Sequence, residues 1–183
     1  MTVLIAAVAF AGLLGLANLM FAFGLIRRLR EHTEILDRLS QSCSGERVVP
    51  ILGAGDAVAE FDTTTIDGER VSRDDLAGIT VVVGVFSPGC PACEDQLGDF
   101  VSYARTHPGG RRVALAVVVG TEAESRSYVE RLDAVARVVR EPMDGTVSKA
   151  LAVRGFPAFA LIADGRVRVS GFTVGDLPAT VAG

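Results

Sequence analysis

The sequence predicts an α/β domain whose sheet is parallel in the middle and antiparallel at one edge, carried behind an N-terminal transmembrane helix. Three observations predict it. Apolar, β-branched runs alternate with helix-compatible stretches over most of the chain, the pattern of a sheet built with crossover helices. The last two runs turn about Asp164-Gly165, a hairpin connection that makes their edge antiparallel. And Val3 to Ile26 carry no charge, with Asn18 the one clearly polar side chain among them.

At 183 residues the chain has room for one compact domain and an appendage. We divide it into an anchor helix with its extension (residues 1–39), a linker (40–54) and a globular domain (55–183). The net charge is −4 and no stripe of Lys or Arg forms, which excludes nucleic acid as a natural partner. As a helix, the uncharged N-terminal run is about 36 Å long, enough to cross a ~30 Å hydrocarbon core with some tilt. A cleaved signal peptide would start basic and have a shorter apolar core. This run has no early Lys or Arg, and Arg27, Arg28 and Arg30 follow it. Leu29, Ile35, Leu36 and Leu39 continue at helical spacing, and Ser40 to Gly55 is rich in Ser and Gly. Cys43 lies in that stretch and reads as a plain linker thiol.

In the globular part, Phe61–Ile66 and Glu69–Val71 flank Asp67-Gly68 as a hairpin. Ser72 caps a short turn through Leu76 that Gly78 ends. Ile79–Phe86 is an almost unbroken apolar run, which marks a strand buried on both faces. A helix from Pro91 to about Thr106 puts Leu97, Phe100, Val101 and Ala104 on one face, and His107-Pro-Gly-Gly110 stops it. Then come a strand at Arg112–Val119, a helix at Glu122–Leu132 and a strand at Val135–Val139. A short helix at Thr146–Val153 and the closing hairpin of Ala158–Ala163 with Val167–Ser170 complete the order.

Cys90-Pro91-Ala92-Cys93 stands between the buried strand and its helix. Two cysteines so spaced at a strand-to-helix turn can close a small disulfide ring and open it again, and C-x-x-C in this position signals a redox site. Only Cys90 needs to be reachable, because exchange proceeds by attack of one thiolate on a partner's sulfur. The start of the helix points free N–H groups at the first sulfur and favours its thiolate. Pro91 fits the first turn, where its missing N–H costs nothing. The competing reading, half of a zinc site, needs two more ligands from Cys43, His32 and His107, none of them well placed. A second informative stretch is Arg154-Gly155-Phe156-Pro157-Ala158, with proline at the start of an apolar strand. A cis bond there would turn the Phe156 N–H and C=O toward a bound peptide.

Taken together, Phe61, Asp67-Gly68, Leu76-Ala-Gly78, the buried strand, Cys90-Pro-Ala-Cys93, Val153-Arg-Gly-Phe-Pro157 and Asp164-Gly165 resemble the membrane-anchored thioredoxin-like disulfide oxidoreductases of the TlpA/redoxin type. Phe86-Ser-Pro-Gly-Cys-Pro-Ala-Cys93 with the anchor is most similar to the methylamine-utilization protein MauD branch. The resemblance covers residues 55 to about 175. It implies a thioredoxin fold, a Cys90–Cys93 redox pair and a cis Pro157 packed beside them, with Phe156 and Pro157 shaping the substrate groove. It also implies protein disulfides or dithiols as substrates and electrons exchanged with another membrane oxidoreductase, with neither organic cofactor nor metal. The chain departs from the family in three places: Gly89 replaces a tryptophan, Gly84 a buried carboxylate, and Gln96 a glutamate that would accept the second thiol's proton. Glu94 and Asp95 are the nearest carboxylates.

Two other activities suit the same fold class. A thiol peroxidase would use Ser87 near the peroxide, but Val83 stands where its proline belongs, and Cys93 gives Cys90 an immediate resolving partner. A membrane-tethered copper chaperone would need C-x-x-x-C spacing and a well-placed His. We expect a single-pass protein of the cell membrane. Redox logic places its domain on the extracytoplasmic side, while the three arginines after the span pull toward the cytoplasm.

Overall fold

The computed structural model describes residue 1 and residues 49–178. The chain divides into two units, Met1–Val48 and Val49–Gly183, and the fold described is that of the second. The expected membrane span and most of the expected linker lie outside the described residues. Among the described residues no helix is long and apolar enough to cross a membrane.

Strands β1 (Asp62–Thr64) and β2 (Arg70–Ser72) pair antiparallel as a small separate ribbon. The main sheet has β3 (Thr80–Phe86) at its centre, with β4 (Ala114–Val119) and β5 (Arg137–Glu141) parallel to it on one side. On the other side β6 (Ala158–Ala163) and β7 (Arg166–Gly171) run antiparallel. Helices α1 (Pro91–Thr106) and α2 (Glu122–Leu132) make the crossovers, and α3 (Thr146–Ala150) precedes β6. This is the sheet, parallel in its middle and antiparallel at one edge, that the order of elements predicts, in the thioredoxin-like arrangement that the resemblance implies.

The strands are apolar on both faces because both are covered. Val81, Val83 and Val85 face an aliphatic cluster with Ile51, Val58, Leu76, Leu115, Val117 and Ile162. Val82 and Phe86 face the opposite cluster, built under α1 and α2 from Leu97, Phe100, Tyr128, Leu132, Phe159 and Cys93. Burying one such large side chain contributes about 2 kcal/mol, so these two layers dominate the stability. Thr121 starts α2 with a reciprocal cap, its hydroxyl and N–H both paired with Glu124.

Several boundaries differ from the sequence reading, among them the start of β4, where Arg112 and Val113 belong to a 3₁₀ turn (Gly110–Val113) rather than to the strand. The packed chain begins ahead of residue 55: Ile51 is buried, the Leu52 N–H donates to the Leu151 carbonyl at 3.0 Å, and the Ser170 hydroxyl donates to the Leu52 carbonyl at 2.8 Å. With the Ala57–Arg166 bridge, this segment covers the exposed edge of β7. Strand β5 starts two residues late, because Val135 and Ala136 return their N–H groups to Leu132 at the end of α2. Helix α3 stops at Ala150, where Ala152 turns left-handed (φ 50°) and Val153 donates back to Ser148 at 2.9 Å. That is a Schellman ending without the usual glycine, so the sequence carries no mark of it.

Candidate active site

Strand β3 ends at Phe86, and the Ser87-Pro88-Gly89-Cys90 turn lifts the chain into α1. Pro88 fixes the second position, Gly89 takes the left-handed third (φ +80°), and the Cys90 N–H donates to the Ser87 carbonyl at 3.3 Å. Gly89 suits this turn, because any larger side chain, including the tryptophan that the resemblance leads one to expect there, would be strained at that backbone angle. Cys90 is the N-cap of α1, Pro91 follows in its first turn, and the Cys90 carbonyl accepts the N–H groups of Cys93 (3.0 Å) and Glu94 (3.2 Å).

The two thiols, both free, sit in different surroundings. Cys90 is half-buried, and its thiol donates weakly to the Phe156 carbonyl at 3.8 Å. Cys93 is fully buried, and its sulfur accepts the Ser87 N–H at 3.5 Å. Burial pushes the Cys93 thiol up from 9.0 to about 12; the Ser87 N–H opposes this, while the neighbouring Cys90 and Glu94 reinforce it. The Phe156–Pro157 bond is cis, and Pro157 is buried while Phe156 stays half-exposed. All four residues singled out in the sequence thus meet at one end of the sheet. Exposed Phe172 flanks them, its ring 3.4 Å from where a side chain on Gly155 would begin.

The three departures from the family acquire physical reasons. A Cβ on Gly84 would stand 2.7 Å from Phe100 Cε2, so the ring fills the space a carboxylate would use. The Gln96 carboxamide oxygen accepts the Val174 N–H at 2.9 Å, tying the 3₁₀ turn Val174–Asp176 to α1 rather than facing Cys93. Glu94 reaches Arg131 of α2 at 3.9 Å, and Asp95 is exposed. Sequence reading passed over Tyr128. It is 1% exposed, its ring centroid lies 5.9 Å from that of Phe86, and its hydroxyl has no hydrogen-bond partner. Burial, and then the Glu94 carboxylate beside it, hold its hydroxyl well above the usual tyrosine range. The one sequence signal was a tyrosine on the apolar face of α2. His107 lies at the far end of α1, with Nδ1 3.0 Å from the Pro108 carbonyl. Among the described residues no three His, Cys, Asp or Glu side chains converge on a metal position.

Residues 54–170 match the AhpC/TSA family, and the chain belongs to it. A search of curated proteins finds no match. Among solved structures, the fold is similar to the thioredoxin domain of a thiol-disulfide oxidoreductase from Bacteroides vulgatus, at 17% identity and TM-score 0.56, covering 69% of this chain and 93% of that one. It is also similar to an exposed lipoprotein thioredoxin from Streptococcus pneumoniae, at 25% identity and TM-score 0.50, covering 61% and 87%. A third is a secreted Mycobacterium tuberculosis disulfide oxidoreductase homologous to E. coli DsbE, at 17% identity and TM-score 0.50, covering 67% and 87%. The chain is a thioredoxin-like oxidoreductase of that family.

Proposed function

We propose that this protein exchanges disulfides with protein substrates through Cys90 and Cys93. The carrying observation is the asymmetry of the pair: one sulfur within reach of solvent beside the Phe156 carbonyl, the other sealed three residues on. The Cys90 thiolate attacks a client disulfide, and one client sulfur leaves as a thiolate. The Cys93 thiolate then attacks Cys90 Sγ, closing the Cys90–Cys93 bond and releasing the second client thiolate. Two electrons pass to the client, and reduction of the pair by a further dithiol resets the protein. Phe156 and Pro157 form the wall along which an extended client segment lies.

The uncharged run from Val3 to Ile26 supports a single membrane anchor, and with the Phe86–Cys93 segment it supports placement in the MauD branch. The redox partner is then a membrane electron-transfer protein, and the domain works on the extracytoplasmic side. Labelling Cys43 in intact cells with a membrane-impermeant maleimide tests the side; labelling only after lysis would place the domain inside.

The central test is Cys93→Ser. Without a resolving thiol the reaction stalls, and reductant-sensitive adducts of higher mass accumulate on non-reducing gels. Folded Cys93→Ser with Cys90 intact and no such adducts would argue against protein clients. At limiting alkylating reagent Cys90 is labelled ahead of Cys93, and the reverse order would overturn the assigned roles.

A further inference from the structure

The resolving step has an unmet requirement. Cys93 must lose its proton, yet burial holds that thiol at about 12, far above neutral pH. Phe100 fills the space of a carboxylate at position 84, and the Gln96 side chain is committed to Val174. Besides Cys93, the buried titratable side chains among the described residues are His107, Tyr128, Arg137 and Glu141. Three of them have partners of their own elsewhere, although His107 Nε2 and the Arg137 Nε and Nη2 are, like the Tyr128 hydroxyl, without a hydrogen bond. His107 faces the Pro108 carbonyl, Arg137 stands 3.7 Å from Glu69, and Glu141 accepts the N–H groups of Val147 (3.0 Å) and Ser148 (2.7 Å).

Tyr128 is different. It shares the core cluster of Cys93, and its ring packs on Phe86, the residue before Ser87, whose N–H reaches Cys93 Sγ. One helical turn later on the same face of α2, Arg131 reaches Glu94, the residue after Cys93. The two helices therefore meet near the first turn of α1, and the Tyr128 hydroxyl is buried in the cluster beneath them. No hydrogen bond is completed on that hydroxyl, and the Glu94 carboxylate stands beside it. The titratable or charged groups around it are Cys90, Cys93 and Glu94 on the α1 side and Arg131 on its own helix. A buried polar group without a partner is costly, and this one lies in the same core cluster as the thiol that must lose its proton.

We propose that Tyr128 and Glu94 form the proton relay for Cys93, in place of the carboxylates this chain lacks. The inference rests on the disulfide-exchange reading above. As Cys93 Sγ turns toward Cys90, its proton passes to the Tyr128 oxygen while the tyrosine's own proton passes to the Glu94 carboxylate. Tyr128 stays neutral throughout. The Cys93 thiolate attacks Cys90 Sγ, the bond from Cys90 to the client sulfur breaks, and the client leaves as a thiolate. Glu94, half-exposed, gives up its proton to water or to that thiolate.

The test follows 5,5′-dithiobis(2-nitrobenzoate) reacting with the reduced full chain carrying Cys43→Ser. A first release of thionitrobenzoate reports adduct formation on Cys90, and a second reports its resolution by Cys93. Tyr128→Phe keeps the ring and removes only the hydroxyl. It should slow the second release by roughly tenfold or more near neutral pH, the scale of lost acid–base catalysis. The deficit should shrink as pH rises and hydroxide takes the proton directly. Glu94→Gln should slow the same phase, and the double variant should be no slower than the worse single one. A second release unchanged in both variants, or slowed by the same factor at every pH, would overturn the relay. Absence of a second release in the Cys43→Ser chain itself would instead overturn the underlying exchange reading.

Discussion

One sheet presents two unlike faces. Toward β1, β2 and the residue 49–58 segment, β3 offers Val81, Val83 and Val85 to a layer that is almost wholly aliphatic. Toward α1 and α2, the same strand offers Val82, Gly84 and Phe86 to an aromatic layer. There Phe86 meets Phe100 edge-on at 5.4 Å and Phe159 at 5.6 Å, and Phe100 stacks on Phe159 at 5.9 Å. The aliphatic face has only packing to do. The aromatic face holds a sealed thiol and a tyrosine hydroxyl without a partner. Stability and chemistry thus share strands and separate by side-chain parity, each face free to follow its own requirement.

Substitutions on the two faces should separate in size and in kind. The largest effect belongs to Gly84→Asp, which forces a Cβ within 2.7 Å of Phe100 Cε2 and buries an unpaired carboxylate. A loss of about 4 kcal/mol in urea unfolding is expected; wild-type stability would show that the aromatic layer has room. Val83→Ala opens a cavity on the other face and should cost about 2 kcal/mol, with both phases of thionitrobenzoate release unchanged. A slowed second phase would break the division between faces. Gln96→Ala deprives the Val174 N–H of its acceptor and should cost about 1 kcal/mol, read as faster hydrogen exchange at Val174.

The smallest effect at neutral pH is the titration of Cys93, which is nil there. Its folded value of about 12 exceeds the ordinary 9.0, so above pH 9 the unfolded thiol releases its proton while the folded one keeps it. The unfolded state then binds fewer protons and stability falls as pH rises. The contribution is whole below about pH 9 and is lost toward 12. The urea midpoint of the reduced protein should drop between pH 9 and 11 relative to the oxidised protein, which has no such thiol. Parallel curves would mean that Cys93 is less sealed than the aromatic layer indicates.

Much of this was legible before any coordinates. Ile79–Phe86 read as a strand buried on both faces because valine repeats without a polar break, and Cys90 to Cys93 read as a strand-to-helix thiol pair because Pro88, Gly89 and Pro91 punctuate it. Other features left no local trace. Asp-Gly occurs three times, and the two pairs that read as hairpin turns make different ones. At Asp164-Gly165 both residues are left-handed, as a two-residue hairpin requires. At Asp67-Gly68 only Gly68 is, and a five-residue loop opens so that the Ile66 N–H reaches the Val138 carbonyl at 2.9 Å and Asp67 pairs with Arg111.

The sequence by itself determined the order of strands and helices, the thiol pair at the end of β3 and the proline before β6, because periodicity, turn residues and cysteine spacing act within a few positions of one another. Tertiary structure decided which groups surround the buried sulfur. Phe100 rather than a carboxylate occupies the space beside Gly84, Gln96 is drawn to Val174, 78 positions away, and Tyr128 comes in from another helix. Burial, hydrogen-bond completion and proton affinity depend on neighbours in space, and those neighbours are set by how two helices close over one face of a sheet.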